Sequence, residues 1–113
     1  MSTRRLAVIW SSGDPMVAHK VCFMYTHNAK RRGWFDEVTL IVWGPSAELL
    51  TRDTSLQESI KAMKADGVIV QACKGCTDSY GISDQLIALG VDVKYLGMAL
   101  TEMLQGDCKV LTF

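Results

Sequence analysis

The sequence predicts a three-layer α/β sandwich around a mostly parallel five-stranded sheet, in one domain spanning residues 1–113. Three observations predict it. The runs at residues 6–10, 38–43 and 68–73 are apolar almost throughout, as strands covered on both faces are. Segments with helical apolar spacing separate the strands, the rhythm of strand–helix–strand units and a parallel sheet. A chain of 113 residues also holds one hydrophobic core and is too short for two.

Each element has its own local reason. Residues 6–10 (Leu-Ala-Val-Ile-Trp) form the first expected strand. Asp14-Pro15 then supplies an N-cap carboxylate and a proline at the first helical position. The helix that follows is expected to reach about Arg32. Val17, Val21, Met24 and Asn28 fall on one stripe, with Ala18, Cys22, Tyr25 and Ala29 beside it. Lys30, Arg31 and Arg32 suit the negative end of its dipole, and Gly33 is a good residue to end it.

After a connector carrying Trp34 and Phe35, residues 38–43 form the second strand, closed by Gly44-Pro45 and followed by a short helix over 46–52. Thr54 and Ser55, each with Gln57 or Glu58 three residues on, offer overlapping capping boxes. They open a helix with Leu56, Ile60 and Met63 on one face, ended by Asp66-Gly67. The strand at 68–73 stops at a cysteine. Ser83 is expected to cap a helix with Leu86 and Leu89 inward, stopped by Gly90. Residues 91–95 alternate apolar with charged, the pattern of a strand near the sheet edge. A short helix over 98–105 ends at Gly106, and residues 110–113 form the last strand.

Composition removes several classes of function. Apolar residues make up 49 % of the chain with only 2 prolines, which argues against disorder. The net charge is zero and no long block carries one sign, so neither nucleic acid nor an anionic membrane is an expected partner. Arg4 and Arg5 precede an apolar run, but that run is too short for an export signal and no cleavage-like tail follows. No stretch approaches the roughly 20 apolar residues needed to span a bilayer. The expectation is a soluble cytoplasmic protein whose four cysteines, Cys22, Cys73, Cys76 and Cys108, are reduced. Cys22 in a helical pattern and Cys108 at a strand entrance read as small core residues.

Right-handed crossovers gather the strand-to-helix loops on one edge of the sheet. Ser11-Ser12-Gly13-Asp14, Gly44-Pro45, the turn from Cys73 to Cys76, and Gly97-Met98 meet there. Ligands of open α/β sheets bind at that edge, where strand order reverses. A flavodoxin-like order puts the reversal between the first and third strands, with the Ser11, Ser12, Gly13, Asp14 loop against the cysteine loop. No phosphate-binding glycine spacing occurs, and Asp14 stands where a phosphate would sit, so no nucleotide or flavin cofactor is expected.

Cys73-Lys74-Gly75-Cys76 carries the chemistry. A thiol where a strand hands over to a helix meets unpaired amides, and the adjacent Lys74 adds positive charge; both favour thiolate. One reading is a thiol–disulfide oxidoreductase, with attacking and resolving thiols. Against it, the motif sits late in the chain, and the only prolines, Pro15 and Pro45, start helices. A second is zinc, with His19 and Cys22 completing the ligand set, and a third is a purely structural pair in a binding or scaffold protein. The fourth is sulfur transfer: a cysteine accepts sulfane sulfur as a persulfide and passes it on. That chemistry asks for a reachable thiol and no large substrate pocket. Cys73 and Cys76 are then the catalytic candidates, with Ser11, Ser12, Gly13, Asp14, Lys74 and Gly75 shaping the substrate site.

The order of elements, the strand ending in Ala72-Cys73 and the Gly81-Ile82 pair eight residues beyond the cysteine resemble the DsrE/DsrF-like family of small sulfur-relay proteins. The similarity covers nearly the whole chain, from residues 6–13 to residues 106–113. It implies a DsrE-type, flavodoxin-like sandwich assembled as a homo-oligomer, a trimer or hexamer. It also implies sulfur donor and acceptor proteins, or small persulfides, as partners, and a persulfide carried on Cys73. Cys76 lies outside the family's carrier pattern; resolving a persulfide, sharing a metal and inertness are its open readings.

Overall fold

The computed structural model describes residues 3–113. Met1 and Ser2, part of the start weighed above as an export signal, lie outside the described residues. Five strands form one sheet: β1 (Arg5–Trp10), β2 (Glu37–Val42), β3 (Ile69–Cys73), β4 (Asp92–Lys94) and β5 (Lys109–Thr112). Their spatial order is β4-β3-β2-β1-β5, and every pairing is parallel. The chain thus walks from β1 to β4 in one direction, then returns past β1 to lay down β5.

The α/β sandwich with a parallel five-stranded sheet is as expected, but the strand order is not the one with β1 beside β3. β2 lies between β1 and β3, so the first and third strands are not neighbours. The order also decides the layers. Right-handed crossovers that all travel one way place all their helices on one face, and the return crossover places its helix on the other. The first face is covered by α1 (Pro15–Val17), a π-helical turn (Ala18–Cys22), α2 (Phe23–Arg31), α3 (Pro45–Arg52), α4 (Thr54–Ala65), α5 (Lys74–Tyr80) and α6 (Ser83–Ala88). The second face carries α7 (Gly97–Gln105) alone, so the third layer of the sandwich is one helix thick.

The main core lies under the first face. Leu6, Val8 and Trp10 of β1, Val38, Leu40 and Val42 of β2, and Val70 and Ala72 of β3 all point into it. They meet Ala18, Cys22, Phe23 and Ala29 of the first helix, Leu49 and Leu50 of α3, and Leu56, Ile60 and Met63 of α4. The π-helical turn widens the first helix by one residue, so that the consecutive Cys22 and Phe23 are both buried. Phe23 stands edge-on to Trp10, with ring centroids 4.7 Å apart. Val21 and Met24, on the stripe a regular helix would have offered, are exposed instead.

Two caps differ from the expected ones. α4 is capped by Asp53, whose Oδ1 accepts from the Leu56 amide at 3.0 Å, rather than by Thr54 or Ser55. Ser55 Oγ donates to the same carboxylate at 2.7 Å and lies 3.0 Å from His19 Nε2. α6 has no side-chain cap; the Ser83 hydroxyl donates to Asp78 instead. Asp14 caps the first helix as expected, accepting from the Met16 amide at 2.8 Å.

Removing the Asp53 cap with Asp53→Ala is expected to cost about 1 kcal/mol of unfolding free energy, measured by urea titration at neutral pH. Hydrogen bonds from Ser55 and the Leu56 amide hold the Asp53 carboxyl below its ordinary pKa. Its contribution is therefore complete above the unfolded carboxyl pKa and is lost as pH falls through the depressed one, so native and variant curves should converge in acid.

Cys22 gives the opposite pH dependence. Burial pushes its thiol up from 9.0 to about 12, with Thr26 opposing. The folded state keeps the proton that the unfolded chain releases, so this stability is complete below pH 9.0 and is lost as pH rises toward about 12. Relative to Cys22→Ala, the native chain should lose up to about 1.4 kcal/mol per pH unit across that window. Parallel alkaline limbs for the two proteins would show that burial does not hold the Cys22 proton.

Candidate functional site

β3 ends at Cys73, which is also the residue before the first turn of α5. Its backbone is still extended, at φ −72° and ψ 115°, so the chain turns into the helix immediately after it. Register places Cys73 opposite Lys94 on β4, and on the α7 face of the sheet. There it packs with Ala7 of β1, Ile41 of β2 and Leu96, the residue leading into α7. Trp43, Cys76, Ala99 and Met103 border the same cluster.

Cys73 is 9 % exposed. The partial exposure expected of a sulfur carrier belongs instead to Cys76, which is half-buried. The sulfur of Cys73 lies over the first turn of α5: a Cβ added at Gly75 would stand 3.9 Å from it. Cys76, three residues on, is brought onto the same side by the helix, as the N-cap and third residues of a capping box are. The two cysteines pack in one cluster, both unbridged.

The Cys76 thiol is pushed above its ordinary pKa, chiefly by burial, with the Gly44 amide opposing and the Cys73 thiol adding to the rise. Gly44 has φ 80° and ψ −141°, which a side-chain-bearing residue adopts only with strain, so a glycine is needed to hold this turn beside Cys76. Gly44-Pro45 was expected at this edge of the sheet, but the cysteine loop was set against the Ser11, Ser12, Gly13, Asp14 loop instead. The place of Gly44 beside the sulfur pair follows from β2 lying next to β3, which no local pattern encodes.

Lys74 was expected to support a Cys73 thiolate. The structure commits its ammonium to Asp78, one helical turn on, and places it 5.4 Å from the centre of the Tyr95 ring. Both residues respond: the Asp78 partner raises the Lys74 pKa, and Lys74, with Ser83, lowers that of Asp78. Asp78 also takes the Ser83 hydroxyl, and Ser83 lies 2.8 Å from Thr77 Oγ1. This network pins α5 to α6, and its charge balances internally.

The Ser11, Ser12, Gly13, Asp14 loop stands one strand away from the cysteines. The Ser11 carbonyl accepts from the Ser46 amide at 3.2 Å, and a Cβ at Gly13 would meet Pro45 at 3.4 Å. Ser11 also donates its hydroxyl to the Phe113 carbonyl at 3.1 Å. Ser12 Oγ accepts from the Asp14 amide, and the Asp14 carboxylate is taken by its cap. The Gly44-Pro45 turn therefore sits between this loop and the cysteine pair, and the expected direct contact of the two loops is replaced by contact of each with that turn. Lys74, Gly75, Cys73 and Cys76 form one compact group; Ser11, Ser12, Gly13 and Asp14 form another.

The zinc set does not assemble. Cys22 is buried under the first face of the sheet and His19 reaches Ser55 on that side, whereas Cys73 and Cys76 belong to the α7 face. No group of three or more potential metal-ligating side chains occurs among the described residues. No described helix is long and apolar enough to cross a membrane.

Comparison with known proteins agrees with the geometry. The model of the DsrE/DsrF-like family matches residues 15–113. The solved structure of BT1422 from Bacteroides thetaiotaomicron, a conserved protein of unknown function, superposes with a TM-score of 0.92 at 32 % identity, covering 96 % of this chain and 94 % of that one. The crystal structure of the ychN protein from E. coli shares the fold at a TM-score of 0.74 and 18 % identity, over 97 % of this chain and 99 % of its own. A search of curated proteins gives no match. The chain belongs to the DsrE/DsrF-like family.

Proposed function

We propose that the protein is a cytoplasmic sulfur-relay carrier that holds sulfane sulfur as a persulfide on Cys73 and passes it to an acceptor thiol. The observation that carries this reading is a cysteine at the carboxyl end of β3 with a second thiol adjoining it, in a chain of a family associated with sulfur relay. In the loading step the Cys73 thiolate attacks the outer sulfur of a donor persulfide. A sulfur–sulfur bond forms on Cys73, the donor bond breaks, and the donor leaves as a thiolate. An acceptor thiolate then attacks the outer sulfur of the loaded chain and restores Cys73. No net oxidation occurs, so the cycle needs no cofactor.

The carrier works as a homo-oligomer of trimer or hexamer size. Support comes from the thin side of the sheet: Met98 and Leu104 on α7 and Ile69 on β3 are exposed apolar side chains. A second copy covering this face would bury these side chains.

Loading is tested by incubating the reduced protein with a small persulfide, quenching with an alkylating agent and weighing the Cys73 peptide. One added sulfur atom is expected to stay on Cys73 in the Cys76→Ser chain, and none in Cys73→Ser. No added sulfur on Cys73 in Cys76→Ser, under conditions that load another carrier, overturns the proposal. For the assembly, light scattering should give a multiple of the chain mass, reduced in Leu104→Lys with unchanged far-ultraviolet dichroism. A native particle of one chain mass would exclude it.

A further inference from the structure

The relay reading uses only Cys73, yet the structure sets a second thiol against it. From this juxtaposition we infer that Cys76 is a resolving cysteine. It attacks the inner sulfur of the Cys73 persulfide, expels the outer sulfur as sulfide and leaves a Cys73–Cys76 disulfide. This inference rests on the relay reading, since it needs the persulfide, and adds a second outcome to it: reductive release of the sulfur as well as transfer.

Two features of the structure select Cys76 for that attack. A persulfide on Cys73 has two electrophilic sulfurs. The outer one extends about 2 Å beyond Sγ and meets incoming molecules first. The inner one is Sγ itself, which Ala7, Ile41 and Leu96 enclose to 9 % residue exposure. An external thiol is shut out from it, whereas Cys76 already adjoins it from the next turn of α5. The connection is also short enough to close. Residues at the N-cap and third helical positions bring their side chains together without backbone rearrangement, and the intervening Gly75 places no side chain over the Cys73 sulfur.

Atoms and electrons balance. Cys73 enters as its persulfide and Cys76 as its thiol. The bond between the inner and outer sulfurs breaks, and a bond between the inner sulfur and Cys76 Sγ forms. The outer sulfur departs with the bonding pair and takes the proton that Cys76 gives up. The two thiols are oxidised by the sulfane sulfur, which is reduced to sulfide. A dithiol reductant then opens the disulfide by exchange and resets the pair.

The test is a single turnover of the full-length protein with glutathione persulfide, without oxygen or added thiol, followed by assay of free sulfide and by intact mass. The native chain should release one sulfide per chain. It should end two hydrogens lighter, with the loss mapped to a Cys73–Cys76 crosslink that a dithiol reverses. Cys76→Ser should retain the added sulfur on Cys73 and lose the sulfide burst, and Cys108→Ser should behave as native. A native chain that keeps its persulfide as stably as Cys76→Ser overturns the resolving role while leaving the relay intact. Failure of both chains to gain sulfur or form the crosslink removes the relay and the resolving role together. Glutathione bound to Cys73 in Cys76→Ser, with no persulfide formed, would show that the donor is attacked at its own inner sulfur and overturn the inference.

Discussion

A right-handed connection between neighbouring parallel strands puts its helix on a face set by the direction of travel along the sheet. In this chain β1, β2, β3 and β4 follow one another in one direction and β5 requires a return. That single reversal sends every helix but one to the same face. The face carrying Trp10, Leu40 and Ala72 becomes a deep core, and the face carrying Ala7, Ile41 and Cys73 is roofed by α7 alone. The side chain of Cys73 therefore sits on the thin side of the sheet, a placement fixed by the strand's alternation once Ala72 points to the thick one.

The consequences for the four thiols follow from where each falls on this frame. Cys22, under the thick layer, has its proton held by burial. Cys108 lies at the opposite edge of the sheet from the strand ends, where burial again dominates over the attraction of Arg5. Cys76 is raised too, with both a backbone amide and another thiol among the groups acting on it. What separates Cys76 from Cys22 and Cys108 is thus company rather than acidity.

Much of this was legible in the residues. The apolar runs fix β1, β2 and β3, and Asp14-Pro15 fixes the start of the first helix, because those signals are local. The end of β3 at Cys73 is local too. Strand order is not: the same alternation of strands and helices serves an order with β1 beside β3 and one with β2 between them. The misplaced crevice and the distance of the Ser11, Ser12, Gly13, Asp14 loop from the cysteines both descend from that one ambiguity. The caps show a smaller version of it. Asp53, Thr54 and Ser55 all have side chains that cap helices, and the choice of Asp53 rests on where the preceding helix α3 delivers the chain.

Burial of Cys73 at first counts against a sulfur carrier, since a donor must reach it. The thin roof changes the balance. Among the described residues its cover is Leu96 and α7, bordered by Trp43 and Cys76, and α7 itself has no fully buried residue, so uncovering the thiol disturbs few contacts of the main core. On the proposed relay, a persulfide on Cys73 would hold its outer sulfur nearer the surface and leave its inner sulfur sheltered. The same cover would then sort the two proposed fates of that sulfur, with acceptors admitted to the outer atom and Cys76 beside the inner one. A Cys76 thiol whose proton is favoured by burial would attack slowly, giving an arriving acceptor time to take the sulfur first. On this view burial sets the ratio of transfer to release, and the CxxC spacing adds the second fate without disturbing the first.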